Sequence, residues 1–93
     1  MFAIAFDLDT AETRRNHPSS VPQAYADIRN ALGEWGFDWV QGSVYLTERE
    51  DLSNLFQAIQ ALKQLPWFPA SVRDIRAFRV EQWSDFTAMV KRP

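Results

Sequence analysis

The 93-residue sequence has no cysteine and one histidine, His17. Disulfide bonds and thiolate metal centres are thereby excluded, as are multi-histidine zinc sites and Cys–His nucleophile pairs. No apolar run approaches the roughly 20 residues that span a bilayer. The first residues carry neither a basic flank nor a cleavage signal, so a cytoplasmic location without membrane contact is expected. Ten Lys and Arg against twelve Asp and Glu give a net charge of −2, which leaves no global attraction to nucleic acid. Such a partner needs a local basic patch. What the chain has in quantity is apolar: 46% hydrophobic residues, among them four Trp, two Tyr and seven Phe. A single short domain buries only part of its surface on folding, so these aromatics are expected to carry much of the core and to cover an interface.

The stretch from Met1 to Thr10 organises the rest. Phe2, Ile4, Phe6 and Leu8 recur at every second position, with Ala3, Ala5 and Asp7 between them. That is the period of a strand with one broad apolar face and one small-residue face that ends in a carboxylate. Ala11 to Ser20 is polar and reads as a surface loop carrying Arg14, Arg15 and an exposed His17. Ser20, Pro22 and Gln23 start a helix with a cap and a first-turn proline. Its stripe runs through Val21, Ala24, Tyr25, Ile28, Leu32 and Trp35 and stops at Gly36. Two β-rich runs follow about a Gln41-Gly42 turn, which predicts Trp39 opposite Val44 and Phe37 opposite Leu46 on the core side. Asp38, Ser43 and Tyr45 then fall on the other side. Thr47 and Glu50 form a capping box for a second helix through Leu52, Leu55, Phe56, Ile59 and Leu62. Pro66 stops it, Trp67 and Phe68 sit in a stiff aromatic turn, and a last strand is expected from about Ile75.

Strand, helix, strand, strand, helix, strand is the order of a ferredoxin-like βαββαβ sandwich, an α+β fold. Right-handed crossovers place both helices on one face of an antiparallel sheet. Residues 1–82 are assigned to this domain and residues 83–93 to a tail with an amphipathic pattern through Trp83, Phe86 and Val90. The face without helices presents Ala3, Ala5, Val40 and Tyr45 in this reading, and a twofold copy of the chain is its simplest cover.

Asp7 is the leading candidate for chemistry, because two copies meeting across a dimer axis supply a pair of carboxylates of the kind that Mg²⁺ and Mn²⁺ prefer. Asp9 points to the same face and joins it as a second catalytic candidate. Arg73, Arg76 and Arg79, with Arg14 and Arg15, are candidates for phosphate contacts, and Tyr45, Trp67 and Phe68 for stacking on unpaired bases. An Asp7-Leu8-Asp9-Thr10 run after an apolar strand also resembles the aspartyl nucleophile of haloacid-dehalogenase phosphatases. Here Thr10 follows Asp9 directly, and the chain is too short for the core that those enzymes need.

The blocks Ala3-Ile-Ala-Phe-Asp-Leu-Asp-Thr10, Ala24-Tyr-Ala-Asp-Ile-Arg29, Gly36-Phe37, Gln41-Gly-Ser-Val-Tyr45, Pro66-Trp-Phe68 and Ser71-Val-Arg-Asp-Ile-Arg76 together resemble the virulence-associated protein D (VapD) family. The resemblance implies a ferredoxin-like homodimer, similar to the small endoribonucleases of CRISPR adaptation systems, acting as a toxin-like RNase with an antitoxin as a further partner. It places Asp7 at the position associated with RNA cleavage near the dimer axis. Ser43 and Tyr45 fall in one matching block and Arg73 and Arg76 in another, and these four are taken as RNA contacts.

Overall fold

The computed structural model describes all 93 residues. The alternating run at the start of the chain is the strand β1 (Phe2–Leu8), flanked by β3 (Val44–Thr47) on one side and β4 (Val72–Arg79) on the other. With β2 (Asp38–Gln41) outside β3, the sheet order is β2-β3-β1-β4, antiparallel throughout. This is the ferredoxin-like arrangement expected from the element order. Phe2, Ile4, Phe6 and Leu8 turn toward the helices and are buried, while Ala3, Ala5 and Asp7 face the open side.

The helical layer holds more than two helices. The polar stretch after β1, expected to be a loop, begins with α1 (Thr10–Asn16). Asp9 is its N-cap, with one carboxylate oxygen accepting the Glu12 N–H at 3.0 Å, and the Thr13 hydroxyl donates to the Asp9 carbonyl at 2.7 Å. Asp followed three residues later by Glu was the readable signal. His17 then closes α1 and is buried, not exposed. Its Nδ1 accepts the N–H groups of Ser19 and Ser20 at 2.9 and 3.2 Å, which leaves the ring proton on Nε2, 2.7 Å from Asp27 Oδ2. That bond, followed by one from Gln23, holds the Asp27 carboxyl below its usual range. The imidazole thus ties α1 to α2 (Val21–Gly33), which starts at the expected Ser20 cap.

Two further departures concern boundaries. α3 (Leu52–Lys63) is capped by Asp51, which accepts the Asn54 N–H, and not by Thr47, which is the last residue of β3. Its buried line is Asn54, Ala58 and Leu62, so Leu52 and Phe56, expected in the core stripe, stay exposed. The aromatic turn is a short helix, α4 (Phe68–Ser71), and the last strand begins at Val72 rather than near Ile75.

The hairpin register differs from the expected one by a single residue, and the difference exchanges the two faces of β3 while those of β2 stay as expected. The loop is Gly42-Ser43, Val40 is a bulge, and Trp39 pairs with Tyr45 while Asp38 pairs with Leu46. Tyr45 also lies opposite Ile4 on β1, so it enters the core and stacks on Phe6, centroids 6.1 Å apart. Leu46 moves to the open face opposite Ala3. Pairing with β1 decides this, since only one register puts a broad aromatic over Phe6. The last residues include a short helix, α5 (Thr87–Lys91), and Trp83 lines a cleft with Met1, Asp38, Val40 and Leu46, so the tail itself covers part of the open face.

Candidate active site

At the C-terminal end of β1, Asp7 stands on the open face and is 58% exposed at its side chain. Its neighbour on β4 is Asp74, but the next pair is Leu8 with Val72, so Arg73 is an extra, bulged residue. A bulge re-aims a side chain and increases the local twist. Here it brings the Arg73 guanidinium across both carboxylates of β1's end, Nη1 donating to Asp7 Oδ2 and Nη2 to Asp9 Oδ2, each at 3.3 Å. Arg76, opposite Ala5 on the same face, donates through Nε to both oxygens of Asp74 at 3.2 and 3.1 Å. Residues distant in sequence thus form one exposed cluster: Asp7, Asp9, Arg73, Asp74 and Arg76. Asp74 was missed by sequence reading. Its signal was the spacing Asp74-Arg76, which on a strand shares a face.

The other residues singled out from sequence go elsewhere. Tyr45, taken as an RNA contact, is 2% exposed inside the core. Trp67 and Phe68, taken as base-stacking candidates, are also buried, Trp67 edge-on to His17 at 5.1 Å and Phe68 against Phe6 at 6.2 Å. Ser43 is part-buried in the hairpin loop, where its carbonyl accepts the Phe6 N–H at 3.1 Å. Extending the β1–β3 register past Ala5 and Val44 sets Gly42, with φ +47°, level with Asp7. Arg14 and Arg15 lie exposed on α1, the latter paired with Glu12.

The charges in the cluster support one another. The Glu12 N–H, followed by Arg73, holds the Asp9 carboxyl below its usual range, and Asp9 together with Asp7 raises Arg73 above its own. Asp9 is therefore committed on both oxygens, one to the helix cap and one to Arg73, whereas Asp7 presents its second oxygen to solvent. A guanidinium has five N–H donors, so Arg73 keeps others for a phosphate after serving both carboxylates. No three acidic side chains of one chain converge on a point that a metal ion can occupy. A carboxylate beside a guanidinium on an open surface can accept a proton or hold a cation while the arginine neutralises charge on a phosphoryl oxygen.

Fold and cluster together define a small ferredoxin-like α+β protein whose polar site lies on the open sheet face at the end of the first strand. The chain belongs to the family described as CRISPR associated protein Cas2, whose model matches residues 1–88. It is similar to an endoribonuclease VapD homolog of Neisseria gonorrhoeae, 62% identical over 91 residues that cover 98% of this chain and 99% of that one. It is also similar to the endoribonuclease VapD of Haemophilus influenzae, 56% identical over 98% of this chain and 99% of the relative. The endoribonuclease VapD of Dichelobacter nodosus is 50% identical, over 98% of each chain. The resemblance to VapD proteins that the sequence blocks suggested is borne out, and it extends beyond Glu81 into the tail.

Proposed function

We propose that this chain is an endoribonuclease that cuts single-stranded or loop RNA as a homodimer, with Asp7 of both protomers at the site. The observation that carries this reading is the bulge at Arg73, which sets a guanidinium against Asp7 on the exposed end of the open face. The kinship with proteins named endoribonuclease VapD supports RNA as the substrate. Asp7 acts at the scissile phosphate, Arg73 neutralises its charge, Arg76 contacts the backbone beside it, and Asp9 positions Arg73. The Ser43 hydroxyl is a further RNA contact in this reading. A divalent cation, Mg²⁺ or Mn²⁺, belongs to the two-protomer site only. Within the cluster one chain offers a single carboxylate with a free oxygen, while two Asp7 side chains match the one or two carboxylates that Mg²⁺ takes. When bound, such an ion lowers the pKa of a coordinated water and stabilises phosphoryl charge.

The test compares purified wild type and Asp7→Asn on a defined RNA, with and without chelator. The substitution is nearly isosteric at an exposed position, so mass by light scattering should stay that of a dimer. The cleavage rate should fall at least about 100-fold, the scale of a lost acid–base group. A 5′-phosphate on the product supports attack by water, and a 2′,3′-cyclic phosphate transfers the reading to attack by the ribose hydroxyl. Equal rates in both proteins overturn the assignment of Asp7.

A second reading is favoured by the ion pair itself. Asp7 neutralised by Arg73 is also what a dimeric binding module without catalysis would show. It gains if RNA binds with a salt dependence but is never cut. A toxin-like role with an antitoxin partner extends the first reading, and growth arrest on induction of wild type but not of Asp7→Asn is its test.

A further inference from the structure

The edge strand of the sheet leaves one large aromatic out of the core. Trp39 is 49% exposed on the edge strand β2, in contrast to Trp67, which is buried. Its ring is nonetheless fixed: Nε1 donates to the Gly42 carbonyl at 2.7 Å, and the Arg29 guanidinium from α2 lies over the ring, 4.9 Å from its centroid. Arg29 is exposed and appears in none of the ion pairs that occupy Arg15, Arg49, Arg73, Arg76 and Arg79. One turn earlier on α2, Tyr25 is also exposed. An indole held in place without being buried, beside a cation with no carboxylate, is the composition of a surface that stacks bases and tracks a phosphate backbone.

We infer that Trp39 and Arg29 form a stacking platform for one unpaired base of single-stranded RNA, flanking the site at Asp7. The inference rests on the proposal that RNA is the substrate. The anchor of the indole is Gly42, and Gly42 is level with Asp7 across the β1–β3 pair. Trp39 is level with Ile4, three residues and two strands from Asp7. At about 3.3 Å per residue and 4.8 Å per strand, the two backbone positions are about 14 Å apart. Trp39 stands on the helix-side face and Asp7 on the open face, so an RNA strand that reaches both rounds the hairpin tip at Gly42. Stacking accepts any base, so the platform sets the path of the strand and adds affinity without a sequence preference. Arg29 supplies free N–H donors for the adjoining phosphate.

The experiment measures anisotropy of a labelled, unstructured RNA in the Asp7→Asn background, where binding is read without cutting. Trp39→Ala should weaken binding roughly 5- to 150-fold, the range for loss of one base–aromatic stack, and Trp39→Phe by less. Arg29→Gln, on an exposed helix face and safe for folding, should lower the slope of log affinity against log salt by about one. Parent-level affinity in folded Trp39→Ala and an unchanged salt slope in Arg29→Gln overturn the platform and leave the endoribonuclease proposal standing. A parent protein that binds no RNA overturns that proposal, and the platform with it.

Discussion

Replacing Tyr45 separates a core aromatic from an RNA contact. The side chain is 2% exposed and stacks on Phe6 with a 22° angle between rings, facing Ile4 across the β1–β3 pair. Truncation to alanine deletes a whole ring from the centre of the sheet, and aromatic-to-alanine changes in cores cost about 3–5 kcal/mol. Only 20 of the 93 residues are buried, which places the total stability toward the lower end of the usual 5–15 kcal/mol. Tyr45→Ala therefore removes about half or more of it. At roughly 4–8 °C per kcal/mol for a domain of this size, the melting temperature should fall by about 12 °C or more. Tyr45→Phe keeps the ring and its volume and should cost under about 1.5 kcal/mol. The assay is urea unfolding near 15 °C, close to maximal stability, followed by RNA binding per folded molecule at the same temperature. Both variants should bind as wild type once folded. A Tyr45→Ala protein that melts with wild type but has lost RNA affinity would refute the observed register and restore the one in which Tyr45 faces outward.

Two further outcomes follow from the hydrogen bonds. His17→Asn places a side-chain oxygen where Nδ1 accepts the Ser19 and Ser20 N–H groups, whereas His17→Gln leaves both part-buried donors without it, at about 1 kcal/mol each. Chemical denaturation should rank Asn above Gln, and RNA cleavage per folded molecule should be unchanged, because both ring nitrogens are already engaged; the reverse ranking would contradict the tautomer. Asp9, Asp27 and Glu50 all have carboxyls held below their ordinary values, by the Glu12 N–H, by His17 and by the amino terminus respectively. A lowered native pKa stabilises the fold above the unfolded value and is lost as pH falls through the native one. Thermal stability should therefore hold from pH 7 to about 5 and decline below the ordinary values of 4.5 for Glu and 3.8 for Asp; a flat melting profile down to pH 3 would refute the shifts.

Much of this was legible in the residues, for local reasons. The period of two in Phe2–Leu8 and the Ser20 cap before a stripe at steps of three and four act over a few residues, so they are read without knowing what packs on them. The same holds for Asp7 at a strand end. Asp9 as a cap was equally local and was passed over because the polar run after it looked like a loop. The cluster at Asp7 was visible except for Asp74: Asp7, Asp9, Arg73 and Arg76 were named, but the three-residue spacing of the arginines concealed that Arg76 shares a face with Asp74 while Arg73 reaches Asp7 only through a bulge.

The amino-acid order by itself determined the succession of the four strands and the two long helices, hence the antiparallel ferredoxin-like sheet with an acidic residue ending its first strand. Only the folded molecule decided which aromatic of the hairpin is core and which is surface. A strand slipped by one residue keeps every local preference and exchanges its faces, so Tyr45 entered the core only because Ile4 and Phe6, some forty residues away in the chain, lie against it once the sheet has formed, whereas Trp39, its partner on the same face, stays exposed because β2 is the sheet's edge.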